Sequence, residues 1–68
     1  MEIDVDKLKR LREEKVLSQR ELARMANLTH TTVWRIEHGH RARPGTIRKV
    51  AGVLGVEPKE LLLERGGE

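Results

Sequence analysis

Ser18-Gln19-Arg20-Glu21-Leu22-Ala23-Arg24-Met25-Ala26-Asn27-Leu28-Thr29 opens one helix, closes it and opens the next. Ser18 and Glu21 have the spacing of a capping box. In that motif the Ser hydroxyl accepts from the Glu amide, and the Glu carboxylate accepts from the Ser amide. Leu17 and Leu22 flank the box as a hydrophobic staple that fixes the angle at which the chain enters. Asparagine tolerates a left-handed backbone, so Asn27 ends this helix near Ala26. Thr29 then caps a third helix over about Thr29–His38, with Leu28 and Val33 as a second staple and Gly39 as terminator. About three residues join the two helices. So short a joint turns a sharp corner, unless the segments merge into one helix.

Upstream, Val5, Leu8 and Leu11 recur at helical spacing and predict a first helix over about residues 4–15, capped by Asp4 or Asp6. Downstream, Pro44 suits the first turn of a fourth helix. Ile47, Val50, Ala51 and Leu54 line one face of that helix, and Gly55 closes it. Pro58 opens a short fifth helix bearing Leu61, Leu62 and Leu63, and Gly66-Gly67 leaves residues 64–68 as a frayed tail. Neither period-two β-branched runs nor Asn-Gly and Asp-Gly hairpin turns occur. The expectation is an all-α, five-helix single domain over residues 1–68. One helical face cannot bury three consecutive leucines, which leaves one for self-contact.

At 68 residues, the chain buries only roughly 60% of its unfolded surface, so a second domain or a deep substrate pocket has no material. Cysteine is absent, so neither disulfides nor thiolate-held zinc staple the fold, and packing or oligomerisation must do so. No apolar run approaches the roughly 20 residues of a membrane span, and the acidic start Met1-Glu2-Ile3-Asp4 does not resemble a signal peptide. A cytoplasmic protein with no membrane contact is expected. The net charge is +3. Residues 1–17 sum to zero, residues 18–49 to +5 and residues 50–68 to −2. The basic centre, which also holds His30, His38 and His40, suits a polyanionic partner. With 37% of residues charged, a merely solvated surface is the plain alternative.

On a helical wheel of about 100° per residue, Val33 and Ile36 define the buried side of the third helix. The opposite face reads His30, Thr31, Trp34, Arg35 and His38, without an acid, while Glu37 lies nearer the core. Trp34 is the sole aromatic residue. Two roles stay open for it: contact with thymine methyls or the sugar–phosphate wall of a major groove, or packing over the fourth helix or into a dimer. Enzymatic chemistry finds no support. Ser18 is explained as a cap, and no nucleophile stands beside a base. His38 and His40 are two apart across a helix end, a poor chelate, so neither metal nor cofactor is expected.

Residues 18–39, with Ala23 in mid-helix, Asn27 at the turn and Ile36-Glu37-His38-Gly39 at the end, resemble the helix-turn-helix of the phage-repressor (Cro/CI-like, xenobiotic-response-element) family. The segment from Arg43-Pro44-Gly45-Thr46-Ile47 through Leu54-Gly55-Val56 is similar to that family's fourth helix, and the resemblance spans about residues 5–63. It implies a repressor-like domain that places its third helix in the major groove of double-stranded DNA. His30, Thr31, Trp34 and Arg35 would then read bases, with Arg35 suited to guanine. Ser18, Gln19, Thr29, Thr32, Arg41 and Arg43 would contact the DNA backbone, and protonation of His30 would add a donor near phosphates. Arg12 and Glu37 match a pair that holds the recognition helix in place. The family further implies a homodimer on a palindromic operator, with half-sites roughly 34 Å apart, acting as a transcriptional repressor. The alternative is an antitoxin or protein-interaction module, and a partner protein or fused effector domain would supply any switch. The chain departs from the family at Val16, where glycine is usual, and at Trp34, where a small or polar residue is usual.

Overall fold

The computed structural model describes residues 2–63. It contains α1 (Val5–Glu14), α2 (Gln19–Met25), α3 (His30–Glu37) and α4 (Pro44–Leu54), followed by a 3-10 turn at Pro58–Leu61. The expected frayed tail, residues 64–68, lies outside the described residues. The α2–α3 joint stays open as a corner, so the two segments do not merge.

Local chemistry sets the helix starts. The Lys7 amide donates to Asp4 Oδ1 at 3.2 Å, so Asp4 rather than Asp6 caps α1. The Glu21 amide donates to Ser18 Oγ at 3.0 Å and the Ser18 amide to Glu21 Oε1 at 2.9 Å, closing the capping box of α2. Thr29 Oγ1 accepts from the Thr32 amide at the start of α3.

Helix ends share one device. An amide reaches back five residues to a carbonyl from Leu17 to Arg12, Leu28 to Ala23, His40 to Arg35 and Val56 to Ala51. Each bond follows a left-handed residue: Val16 (φ 55°), Asn27 (φ 58°), Gly39 (φ 87°) and Gly55 (φ 74°). Three of the four are residues that accept this conformation readily. Valine does not, because its branched Cβ crowds the backbone there.

The fifth helix expected from the sequence is not formed; its place is taken by the single 3-10 turn. Long-range pairing wins over helix propagation at this point. Leu62 goes extended and forms an isolated antiparallel bridge with Ile3. The Asp4 amide donates to the Leu61 carbonyl at 2.8 Å, and the Leu63 amide to the Glu2 carbonyl at 3.2 Å. The consecutive leucines thereby part company: Leu61 is fully buried, Leu62 half-buried and Leu63 exposed. Leu8, Leu22, Val33 and Leu61 are the largest fully buried side chains, joined in the core by Ile36, Ile47, Val50 and Leu54. This aliphatic core contains no aromatic ring, so Trp34 is left outside it.

Candidate nucleic-acid interface

Burial of Val33 and Ile36 rolls α3 so that its other side faces outward. Thr31, Trp34, Arg35 and His38 are exposed, and His30 is half-buried at the helix start. The one acid of the helix, Glu37, is only 2% exposed. Arg12 Nε donates to Glu37 Oε2 at 2.6 Å and Arg12 Nη2 to Oε1 at 3.1 Å, while Arg12 Nη1 donates to the Leu17 carbonyl at 2.7 Å. A guanidinium fork on a carboxylate is among the stronger polar contacts a protein makes. The pair anchors α3 to α1 and removes the helix's negative charge from its outward face.

Trp34 lies flat on His38, with ring centroids 3.8 Å apart and planes 17° from parallel. His38 Nδ1 sits 2.8 Å from the Trp34 carbonyl, which only accepts, so Nδ1 carries the proton. Trp34 is 44% exposed, yet its ring is stacked on a residue of its own helix turn. The left-handed turn at Gly39 brings the His40 ring to 6.5 Å from the indole. That position of His40 is not expected from sequence, since it depends on the geometry of the turn.

Arg35, Arg41 and Arg43 converge with Thr32 and Thr46 on one cavity of about 320 Å³ between α3, the following loop and the start of α4. Ile36 and Ala42, both buried, also line it. Three guanidinium-bearing side chains and two hydroxyls suit an anionic oxygen group, and among the described residues no acid lines the cavity. Thr46 is not among the residues that sequence reasoning singles out. Its only signal there is its place in the first turn of α4, two residues after Pro44.

The other candidate backbone contacts arrive with their side chains engaged. Ser18 and Thr29 serve as caps, and Thr29 Oγ1 also lies 2.9 Å from Thr32 Oγ1. Gln19 Nε2 donates to Glu37 Oε1 at 2.9 Å, and Gln19 Oε1 lies 3.3 Å from His30 Nε2. Among the described residues, no group of three or more metal-ligating side chains occurs, and no helix is long and apolar enough to cross a membrane.

Two helices meeting at a tight corner, the second presenting a basic outer face beside a basic cavity, define a helix-turn-helix domain. The helix-turn-helix family model HTH_3 matches residues 8–61, and the chain belongs to this Cro/CI-type family of DNA-binding transcription regulators. The fold is similar to the N-terminal DNA binding domain of SinR from Bacillus subtilis, with a TM-score of 0.80 and 29% sequence identity over 94% of each chain. No curated protein sequence matches the chain.

Proposed function

We propose that this protein is a non-enzymatic, cytoplasmic transcriptional repressor that binds a palindromic double-stranded operator as a homodimer, with α3 in the major groove. The observation that carries this reading is the outward face of α3, which offers His30, Thr31, Trp34 and Arg35 and no acid, because Glu37 is buried against Arg12. These four residues read base edges. Thr32, Arg41 and Arg43 hold the backbone at the adjoining cavity, and Ser18, Gln19 and Thr29 meet it through the start of α2 and the corner. The SinR domain that shares this fold is a DNA binding domain, which supports DNA as the ligand here. Blocking access to the operator would suffice for repression, with a partner protein or fused domain supplying any signal.

Selection of bound sites from a random duplex library tests the reading. A palindromic consensus, whose affinity falls steeply as salt rises from about 50 to 200 mM, is the expected result. Recovery of no consensus would instead favour a domain that docks a protein partner.

A further inference from the structure

The hydrogen-bond chain behind α3 dictates which atom His30 offers outward. Glu37, forked by Arg12, is a carboxylate that only accepts, so the Gln19 side chain must turn its nitrogen toward it, and does so at 2.9 Å. Gln19 Oε1 is thereby aimed at His30 Nε2, 3.3 Å away. An amide oxygen only accepts, so a neutral His30 must carry its proton on Nε2. Its Nδ1 is left as a lone-pair acceptor. His30 is half-buried, and among the described residues no contact to Nδ1 is formed and no buried side-chain nitrogen or oxygen lacks a partner. Nδ1 therefore reaches solvent.

We propose that His30 reads DNA as an acceptor, taking a hydrogen bond from the exocyclic amino group of adenine or cytosine and disfavouring the keto edge of guanine or thymine. Gln19 is its positioning residue. This inference rests on the major-groove reading above. In that groove adenine N6 and cytosine N4 are the donors, whereas guanine O6 and N7 and thymine O4 are acceptors. The specificity of the first residue of the recognition helix is thus set from α1, through Arg12, Glu37 and Gln19.

Two measurements on the full chain at about pH 8, where an ordinary imidazole is neutral, test it. Long-range proton–nitrogen NMR correlation should show His30 as the Nε2–H tautomer, with His38 as the opposite, Nδ1–H reference within the same molecule. Gln19→Met keeps the side-chain volume but offers no acceptor amide; it should turn His30 into a tautomer mixture and leave His38 unchanged. On the selected operator, exchanging the amino base under His30 for a keto base should weaken binding about tenfold, and only about twofold in Gln19→Met. An Nδ1–H or mixed tautomer for His30 in the unaltered chain overturns the proposal, as does a keto base preferred at that position. A chain with the expected tautomer that binds no duplex overturns the DNA reading itself, and the base preference with it. The two failures are therefore distinguishable.

Discussion

Arg12 and Glu37, 25 residues apart, close a two-pronged ion pair at 2.6 and 3.1 Å that ties α1 to the last turn of α3. The carboxylate is the buried partner, while the Arg12 side chain retains 14% of its exposure and a further bond to the Leu17 carbonyl. The two single deletions are consequently unequal. Arg12→Ala strands a buried charge held, among the described residues, by Gln19 alone and should cost about 3–5 kcal/mol. That is a large share of the roughly 3–10 kcal/mol expected in total for a chain of this size. Glu37→Gln should cost less, because Arg12 keeps its carbonyl and some water. Joint replacement by Arg12→Leu and Glu37→Met should recover much of the loss, since a well-packed apolar pair is often as stable as a buried ion pair. Urea unfolding of the three variants checks the order; an Arg12→Ala loss below about 1 kcal/mol would mean the pair is not structural.

Val16 carries a conformation suited to glycine. Its φ is 55°, and the residue is 85% exposed, so it gains almost no packing in return. The left-handed backbone costs a β-branched residue about 1–2 kcal/mol, whereas glycine's extra unfolded-state entropy costs about 0.5–1 kcal/mol. The smaller penalty wins, so Val16→Gly should stabilise the fold by several tenths of a kcal/mol to about 1 kcal/mol. In a domain of this size that raises Tm by up to about 4–8 °C. Calorimetry showing a fall in Tm would mean that Val16 makes a contact outweighing its strain.

The capping box at α2 gives the stability–pH profile a defined sign. The backbone amide of Ser18, and then its hydroxyl, hold the Glu21 carboxyl below its ordinary value of 4.5. A carboxyl depressed in the folded state contributes stability that is present above its unfolded pKa and lost as pH falls through the folded one. Glu21→Gln should therefore flatten part of the decline below about pH 4.5, where the unaltered chain loses this contribution. Unfolding midpoints from about pH 6 to pH 2.5 test this; an unchanged acid limb would show that other carboxylates account for it.

The legible parts of this fold are those decided within a few residues. Ser18 with Glu21, Thr29 with Thr32, and the left-handed Asn27, Gly39 and Gly55 all act over one turn of backbone, and so can be read directly. Leu62 cannot, because its extended form depends on Ile3 at the other end of the chain. Local pattern favours a helix where a tertiary bridge prevails. The outward face of α3 follows from the burial of Val33 and Ile36. The gathering of Arg35, Arg41, Arg43 and Thr46 around one cavity depends on the angle between α3 and α4, which no local pattern encodes. Gln19 shows the same limit. Its place at a helix start suggests a phosphate contact, but that both ends of its amide are also directed at Glu37 and His30, from different segments, is not legible there.

Trp34 and Arg35 are neighbours on α3 whose contributions to DNA binding separate by experiment. Trp34 is the only aromatic residue of the chain, so its emission reports on α3 alone and should change when a cognate duplex is added. The ring stacks on His38 outside the core; Trp34→Ala should therefore cost the fold only about 0.5–1.5 kcal/mol. Its larger effect should fall on binding, where a stacked and immobilised indole contributes contact area at little entropic cost. Arg35 lines the basic cavity while standing on the outward face, which allows either a guanine edge or a phosphate as its target. If it reads a base, Arg35→Ala should cost about 1–3 kcal/mol on the cognate site and relax one base position. If it holds a phosphate, the loss should be equal on every duplex, and the salt slope should fall by about one. Titrations of both variants on cognate and scrambled duplexes at two salt concentrations distinguish these outcomes, and a Trp34 emission that ignores the duplex would remove α3 from the interface.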